Sequence, residues 1–118
     1  MRILIVDDHA DILLMLQHLL AKSEHKITLA QDSRNALTIV QHIEFDALIV
    51  DLMMPNLTGP DLIRMVRAAK PGIRIIAMTG GDSAKFDVVG PNGADLLLHK
   101  PFSRAALFSA LADERPVL

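Results

Sequence analysis

Four short apolar runs, each handing over to polar residues, punctuate the chain. Ile3 to Val6 leads into Asp7-Asp8, Ala47-Leu48-Ile49-Val50 into Asp51, Ile73 to Met78 into Thr79, and Asp95-Leu96-Leu97-Leu98 through His99 into Lys100. Runs this short and this rich in branched side chains predict strands covered on both faces, as in a parallel sheet. Lys26-Ile27-Thr28-Leu29-Ala30 alternates instead and is expected at an edge, where one face meets solvent.

Between the runs the period lengthens to about 3.6 residues, the helical repeat. Ile12, Leu13, Met15, Leu16, Leu19 and Leu20 make one stripe; Ala36, Leu37, Ile39, Val40 and Ile43 make a second, with Asp32 or Ser33 as its N-cap. Leu62, Ile63, Val66 and Ala69 make a third, opened by Gly59-Pro60, where proline suits the first turn. Ala106, Leu107, Ala110 and Leu111 make the last, capped by Ser103. Only Ser83 to Val89 remains for a short helix before Gly90-Pro91-Asn92-Gly93, a cluster that stops helices. Strands alternating with helices at this spacing predict an α/β fold: an open, mostly parallel sheet with helices on both faces and right-handed crossovers.

Composition narrows the function. The 118 residues, 51% hydrophobic and 22% charged, suit one domain with no room for a second. With no Cys, disulfide scaffolds, thiolate metal sites and thiol nucleophiles are excluded. Twelve basic against fourteen acidic side chains, no Trp and no Tyr leave neither a basic field nor a stacking platform, so direct nucleic-acid binding is not expected. No apolar run approaches the roughly twenty residues needed to span a bilayer, and the N-terminus lacks the apolar core of a signal peptide, so a cytoplasmic protein without membrane contact is expected. Met1 directly before the first strand fits a true start. The end just after the last helical stripe fits both a stand-alone protein and an excised N-terminal domain.

In a parallel sheet all strands point one way, so the residues just past their ends gather at one rim. That places Asp7, Asp8, Asp51, Thr79 and Lys100 together. Carboxylates about 5 Å apart repel by roughly 3 kcal/mol at an effective dielectric near 20, so the cluster calls for a cation. Hard oxygen ligands on a wet rim suit Mg²⁺ better than a caged Ca²⁺. Beside such an ion Asp51 is a candidate nucleophile, giving an aspartyl phosphate. Thr79 and Lys100 supply a donor and positive charge for phosphoryl oxygens.

These residues carry a family pattern. With Val6-Asp7-Asp8, Asp51-Leu52-Met53-Met54-Pro55 and Gly59 eight residues after Asp51, Met78-Thr79-Gly80, and Lys100-Pro101-Phe102, the chain resembles the receiver domain of bacterial response regulators over essentially residues 1–118. The resemblance implies a flavodoxin-like, doubly wound five-stranded sheet of order 2-1-3-4-5. It further implies that Asp51 takes phosphate from a histidine kinase or phosphotransfer protein in two-component signalling. Mg²⁺ would be held by Asp8, Asp51 and the Met53 carbonyl, with Asp7 acting through water. Thr79 and Lys100 would bind the phosphoryl group, Lys100-Pro101 would be cis, and a downstream protein would dock on about Ser83 to Asp113. The chain would act as a phosphoacceptor rather than a turnover enzyme.

The sequence departs from the family pattern at Leu97, where many receivers carry Tyr or Phe three residues before the lysine. Output is then expected to rely less on an aromatic rotamer and more on the short fourth helix. Met53, large and apolar two residues after the acceptor, is expected to hinder attacking water and prolong the phosphorylated state. The alternatives are a metal-dependent phosphohydrolase with an aspartyl nucleophile, which usually has a second acid where Met53 stands, and an unphosphorylated receiver-like scaffold. Asp7-Asp8 alone could simply cap the first helix. Of the five histidines only His9 adjoins the rim, where it is a candidate to bond the residues that hold the ion.

Overall fold

A computed structural model describes residues 1–55, 57–80 and 88–112. In chain order the elements are β1 (Arg2–Val6), α1 (Ala10–Leu20), β2 (Lys26–Ala30), α2 (Ser33–His42), β3 (Ala47–Asp51), α3 (Gly59–Ala69), β4 (Arg74–Thr79), β5 (Leu96–His99) and α4 (Arg104–Ala112). All strand pairs are parallel and the order is β2-β1-β3-β4-β5. The architecture is flavodoxin-like, with the alternating β2 on an edge.

Successive residues of a strand point to opposite faces, and here both faces are covered. Leu4, Val6, Leu48, Val50, Ile75 and Ala77 pack with Ala36 and Val40 of α2 and Leu62, Ile63 and Val66 of α3. Ile3, Ile5, Ala47, Ile49, Ile76 and Met78 pack with Leu13, Leu16 and Leu20 of α1 and Leu107, Ala110 and Leu111 of α4. Burial on two faces is why Ile3 to Val6, Ala47 to Val50 and Ile75 to Met78 are solidly apolar. Arg74, the first residue of β4, is buried with its Nε donating to the Ala110 carbonyl at 2.9 Å, in the last turn of α4, where a helix end favours a cation.

Local signals set the helix starts. Asp32 caps α2 by accepting from the Arg34 and Asn35 amides at 2.8 and 3.0 Å, and Ser103 accepts from the Ala106 amide at 3.0 Å. Thr58 caps α3, with Pro60 in its first turn. Neither Asp7 nor Asp8 caps α1; its N-cap is His9, whose side chain makes no capping bond. Both acids are therefore left for the rim. The helix expected over Ser83 to Val89 falls mostly on residues 81–87, outside the described residues; Val89 itself forms a bridge with Ala94. The Gly90 to Gly93 cluster is a turn, closed by the Gly93 amide on the Gly90 carbonyl at 3.0 Å.

Candidate functional site

The rim is built on anchored backbone. The Asp7 amide donates to the Ala30 carbonyl at 3.1 Å, extending the β1–β2 ladder one residue past the strand. Asp51 is the last residue of β3, opposite Met78, and the Leu52 amide donates to the Met78 carbonyl at 3.0 Å. The Lys100 amide donates to the Thr79 carbonyl at 2.7 Å, which carries the pairing of β4 with β5 to the rim. The Lys100-Pro101 peptide is cis. Each side chain thus projects from an element whose own bonds hold it, the condition for a preorganised site.

Asp7, Asp51 and Lys100 come together. Lys100 Nζ lies 3.2 Å from Asp7 Oδ2 and 3.5 Å from Asp51 Oδ1. Asp7 is wholly buried and Asp51 is 2% exposed. The Met53 amide donates to Asp51 Oδ1 at 3.3 Å. Thr79 is buried at the end of β4, and among the described residues its hydroxyl donates over 3.4 Å to the neighbouring Gly80 carbonyl, a long bond.

His9 joins this cluster more closely than its place in the sequence conveys. Its backbone amide and its ring Nδ1 both lie 2.9 Å from Asp7 Oδ1. The same nitrogen is 3.1 Å from Asp8 Oδ1 and 4.0 Å from Asp51 Oδ2. The available signal was its position directly after the acid pair, in the turn before α1.

Three acids face one ammonium here, and the titration behaviour reflects it. Burial, and then the charge of Asp7, push the Asp51 carboxyl above its ordinary pKa, against the opposing pull of Lys100 and the Met53 amide. The hydrogen bond to Asp7, followed by the charge of Asp8, raises the His9 imidazole. Asp8 Oδ1 is a buried oxygen that accepts no hydrogen bond among the described residues, and the His9 ring stands 3.1 Å from it. Asp7, Asp8, His9 and Asp51 each offer one ligand atom, all within 4.8 Å of one another. A crowded acid set in which a buried carboxylate oxygen accepts no hydrogen bond fits a divalent cation.

Residues 3–112 match the family of the response regulator receiver domain. The chain belongs to that family. This receiver is 35% identical over 111 residues to the response regulator MprA of Mycolicibacterium vanbaalenii, covering 93% of this chain and 48% of the relative. It is 36% identical over 112 residues to that of Mycobacterium leprae, covering 94% and 49%. The chain thus spans about half the length of the curated relatives it matches. Among solved structures, the signal receiver domain of an HD domain-containing protein from Pseudomonas fluorescens superposes with a TM-score of 0.88 at 28% identity, over 93% of this chain and 90% of that one. The chemotaxis response regulator CheY4 of Vibrio cholerae gives 0.84 at 30% identity, over 93% and 94%. The receiver belongs to two-component signalling. Among the described residues no helix is long and apolar enough to cross a membrane.

Proposed function

We propose that this receiver is a Mg²⁺-dependent phosphorylation switch in which Asp51 accepts a phosphoryl group from a histidine kinase or phosphotransfer protein. The observation that carries the reading is the Asp51 carboxylate itself: 2% exposed, at a strand end, with Lys100 Nζ 3.5 Å from Oδ1. Burial of a charged acid beside another acid is costly unless the site uses that charge.

In the transfer, an Asp51 carboxylate oxygen bonds to phosphorus as the phosphorus–nitrogen bond of the donor's phosphohistidine breaks. The electron pair stays on the donor imidazole, which takes up a proton from water. Such transfer demands mainly positioning and charge neutralisation. Lys100 pairs with the incoming phosphoryl oxygens, and the Thr79 hydroxyl donates to another. Asp8, Asp51 and the Met53 carbonyl, with Asp7 through water, would hold the Mg²⁺, which when bound supplies positive charge against the phosphoryl oxygens. The chain acts as acceptor rather than as a turnover enzyme, in the cytoplasm. Its phosphorylated form is read by a protein that docks on about Ser83 to Asp113, a surface lying partly outside the described residues.

Incubation with a small-molecule phosphodonor and Mg²⁺ tests this by intact-mass spectrometry. One labile phosphate per chain is expected, lost in Asp51→Asn. Continuous release of phosphate over many turnovers would instead identify the phosphohydrolase, and modification that persists in Asp51→Asn would remove Asp51 from its role.

A further inference from the structure

The His9 imidazole does nothing for the helix it begins. As the N-cap residue of α1 it makes no side-chain capping bond. Instead the ring turns back over the rim, with its side chain 58% exposed, so water and ions reach it. Its Nδ1 lies 2.9 Å from Asp7 Oδ1, 3.1 Å from Asp8 Oδ1 and 4.0 Å from Asp51 Oδ2.

Those three separations have a geometric reading. Ligands about 2.1 Å from an octahedral ion lie about 3 Å apart when adjacent and about 4.2 Å apart when opposite. Asp8 Oδ1 and Asp51 Oδ2, at 3.1 and 4.0 Å from Nδ1, fall within that range, whereas Asp7 Oδ1 takes the ring's hydrogen bond in the metal-free chain. We propose that His9 Nδ1 is a nitrogen ligand of the divalent site, so that this receiver binds borderline transition ions such as Ni²⁺ and Zn²⁺ more tightly than its carboxylates alone would. The inference rests on the reading that Asp8 and Asp51 hold a divalent ion. Carboxylates suit Mg²⁺ and Mn²⁺, whereas an imidazole adds affinity for Ni²⁺ and Zn²⁺ and little for Mg²⁺. Binding requires the neutral ring with its proton on Nε2, so the ion displaces the proton through which Nδ1 bonds to Asp7 Oδ1 in the metal-free chain.

Calorimetric titration of the native chain, His9→Ala and Asp8→Asn with MgCl₂ and, separately, NiCl₂ at one fixed pH tests the assignment. In His9→Ala, Ni²⁺ affinity is expected to fall about tenfold or more while Mg²⁺ affinity changes less than about threefold. Asp8→Asn is expected to weaken both. Long-range ¹H–¹⁵N spectra of the native chain are expected to show the His9 Nδ1 resonance, above those of the other histidines, moving with Zn²⁺. Unchanged Ni²⁺ affinity in His9→Ala, an equal fall for both ions, or a matching rise for both, which would make His9 a plug over the site, each overturns the ligand assignment. Mg²⁺ binding that survives intact in Asp8→Asn would overturn the metal reading under the proposed function instead.

Discussion

Lys100 Nζ lies 3.2 Å from Asp7 Oδ2, nearer than to Asp51 Oδ1 at 3.5 Å. The ammonium is therefore shared, and its shorter bond goes to the more deeply buried acid. In this arrangement Lys100 is a counter-ion to two carboxylates buried under the rim.

Removing that charge isolates both acids. Lys100→Met is expected to destabilise the chain by about 2 kcal/mol in EDTA, less than a fully buried pair would lose because the lysine side chain is 22% exposed. Mg²⁺ is expected to restore part of the loss by replacing the positive charge. Urea unfolding with EDTA and with Mg²⁺ measures both; equal stability in EDTA would show that Lys100 is not the counter-ion.

Asp51 gives a pH-dependent prediction. Folding raises its pKa above the ordinary 3.8, through burial first and Asp7 second. The folded chain thus binds this proton more tightly than the unfolded chain, and ionised Asp51 costs stability at every pH above its folded pKa. That cost disappears as pH falls through the folded value towards 3.8. Asp51→Asn is expected to stabilise the metal-free chain by about 1 kcal/mol at neutral pH, a Tm rise of about 4 °C, with the gain shrinking towards pH 4. Thermal melts in EDTA across that range measure it, and a gain independent of pH would refute the cause.

Gly59 holds the acceptor's backbone by lacking a side chain. A Cβ there would lie 2.4 Å from the Asp51 carbonyl oxygen and 2.5 Å from Leu52 Cα. Backbone cannot yield as a flexible side chain does, so Gly59→Ala is expected to cost about 3 kcal/mol and to weaken Mg²⁺ binding by shifting Asp51. Urea unfolding and Mg²⁺ titration followed by NMR measure the two effects; an unchanged Mg²⁺ affinity would mean that the loop relaxes without moving the acid.

Met53 is 59% exposed, and its amide donates to Asp51 Oδ1 at 3.3 Å. If Asp51 takes a phosphoryl group as proposed, a large apolar side chain two residues on impedes attacking water, so Met53→Asn is expected to shorten the lifetime of phosphorylated Asp51 several-fold. Phosphorus NMR after removal of the phosphodonor follows the decay, and an unchanged rate would refute the shielding role.

Much of the architecture was legible because it depends on local periodicity. The apolar runs at Ile3 to Val6 and Ala47 to Val50 are buried on both faces, so nothing in them alternates, while Lys26 to Ala30 alternates because it lies on an edge. Asp32 and Ser103 were readable as caps because a cap bonds within its own turn. Arg67 was not legible. It sits beside the stripe residue Val66, yet it is buried, with Nη2 2.8 Å from Asp95 Oδ2, Nε 3.0 Å from the Gly93 carbonyl and Nη1 2.8 Å from the Pro71 carbonyl. It ties the end of α3 to the approaches of β4 and β5. Asp95 is 28 residues away in the chain, and no spacing rule connects them.

From the sequence alone came the five strands, the four helices among the described residues, the parallel sheet and the gathering of Asp7, Asp8, Asp51, Thr79 and Lys100 at one rim, since parallel strands must end on the same side. The tertiary structure decided how those groups divide their charge: Lys100 nearest Asp7, His9 turned onto the acids, and Asp8 Oδ1 without a hydrogen bond among the described residues. Those outcomes depend on differences of a few tenths of an ångström between side chains from separate elements. Such differences follow from how the helices and strands pack and from which oxygen each donor reaches first, and neither is encoded in the spacing of residues along the chain.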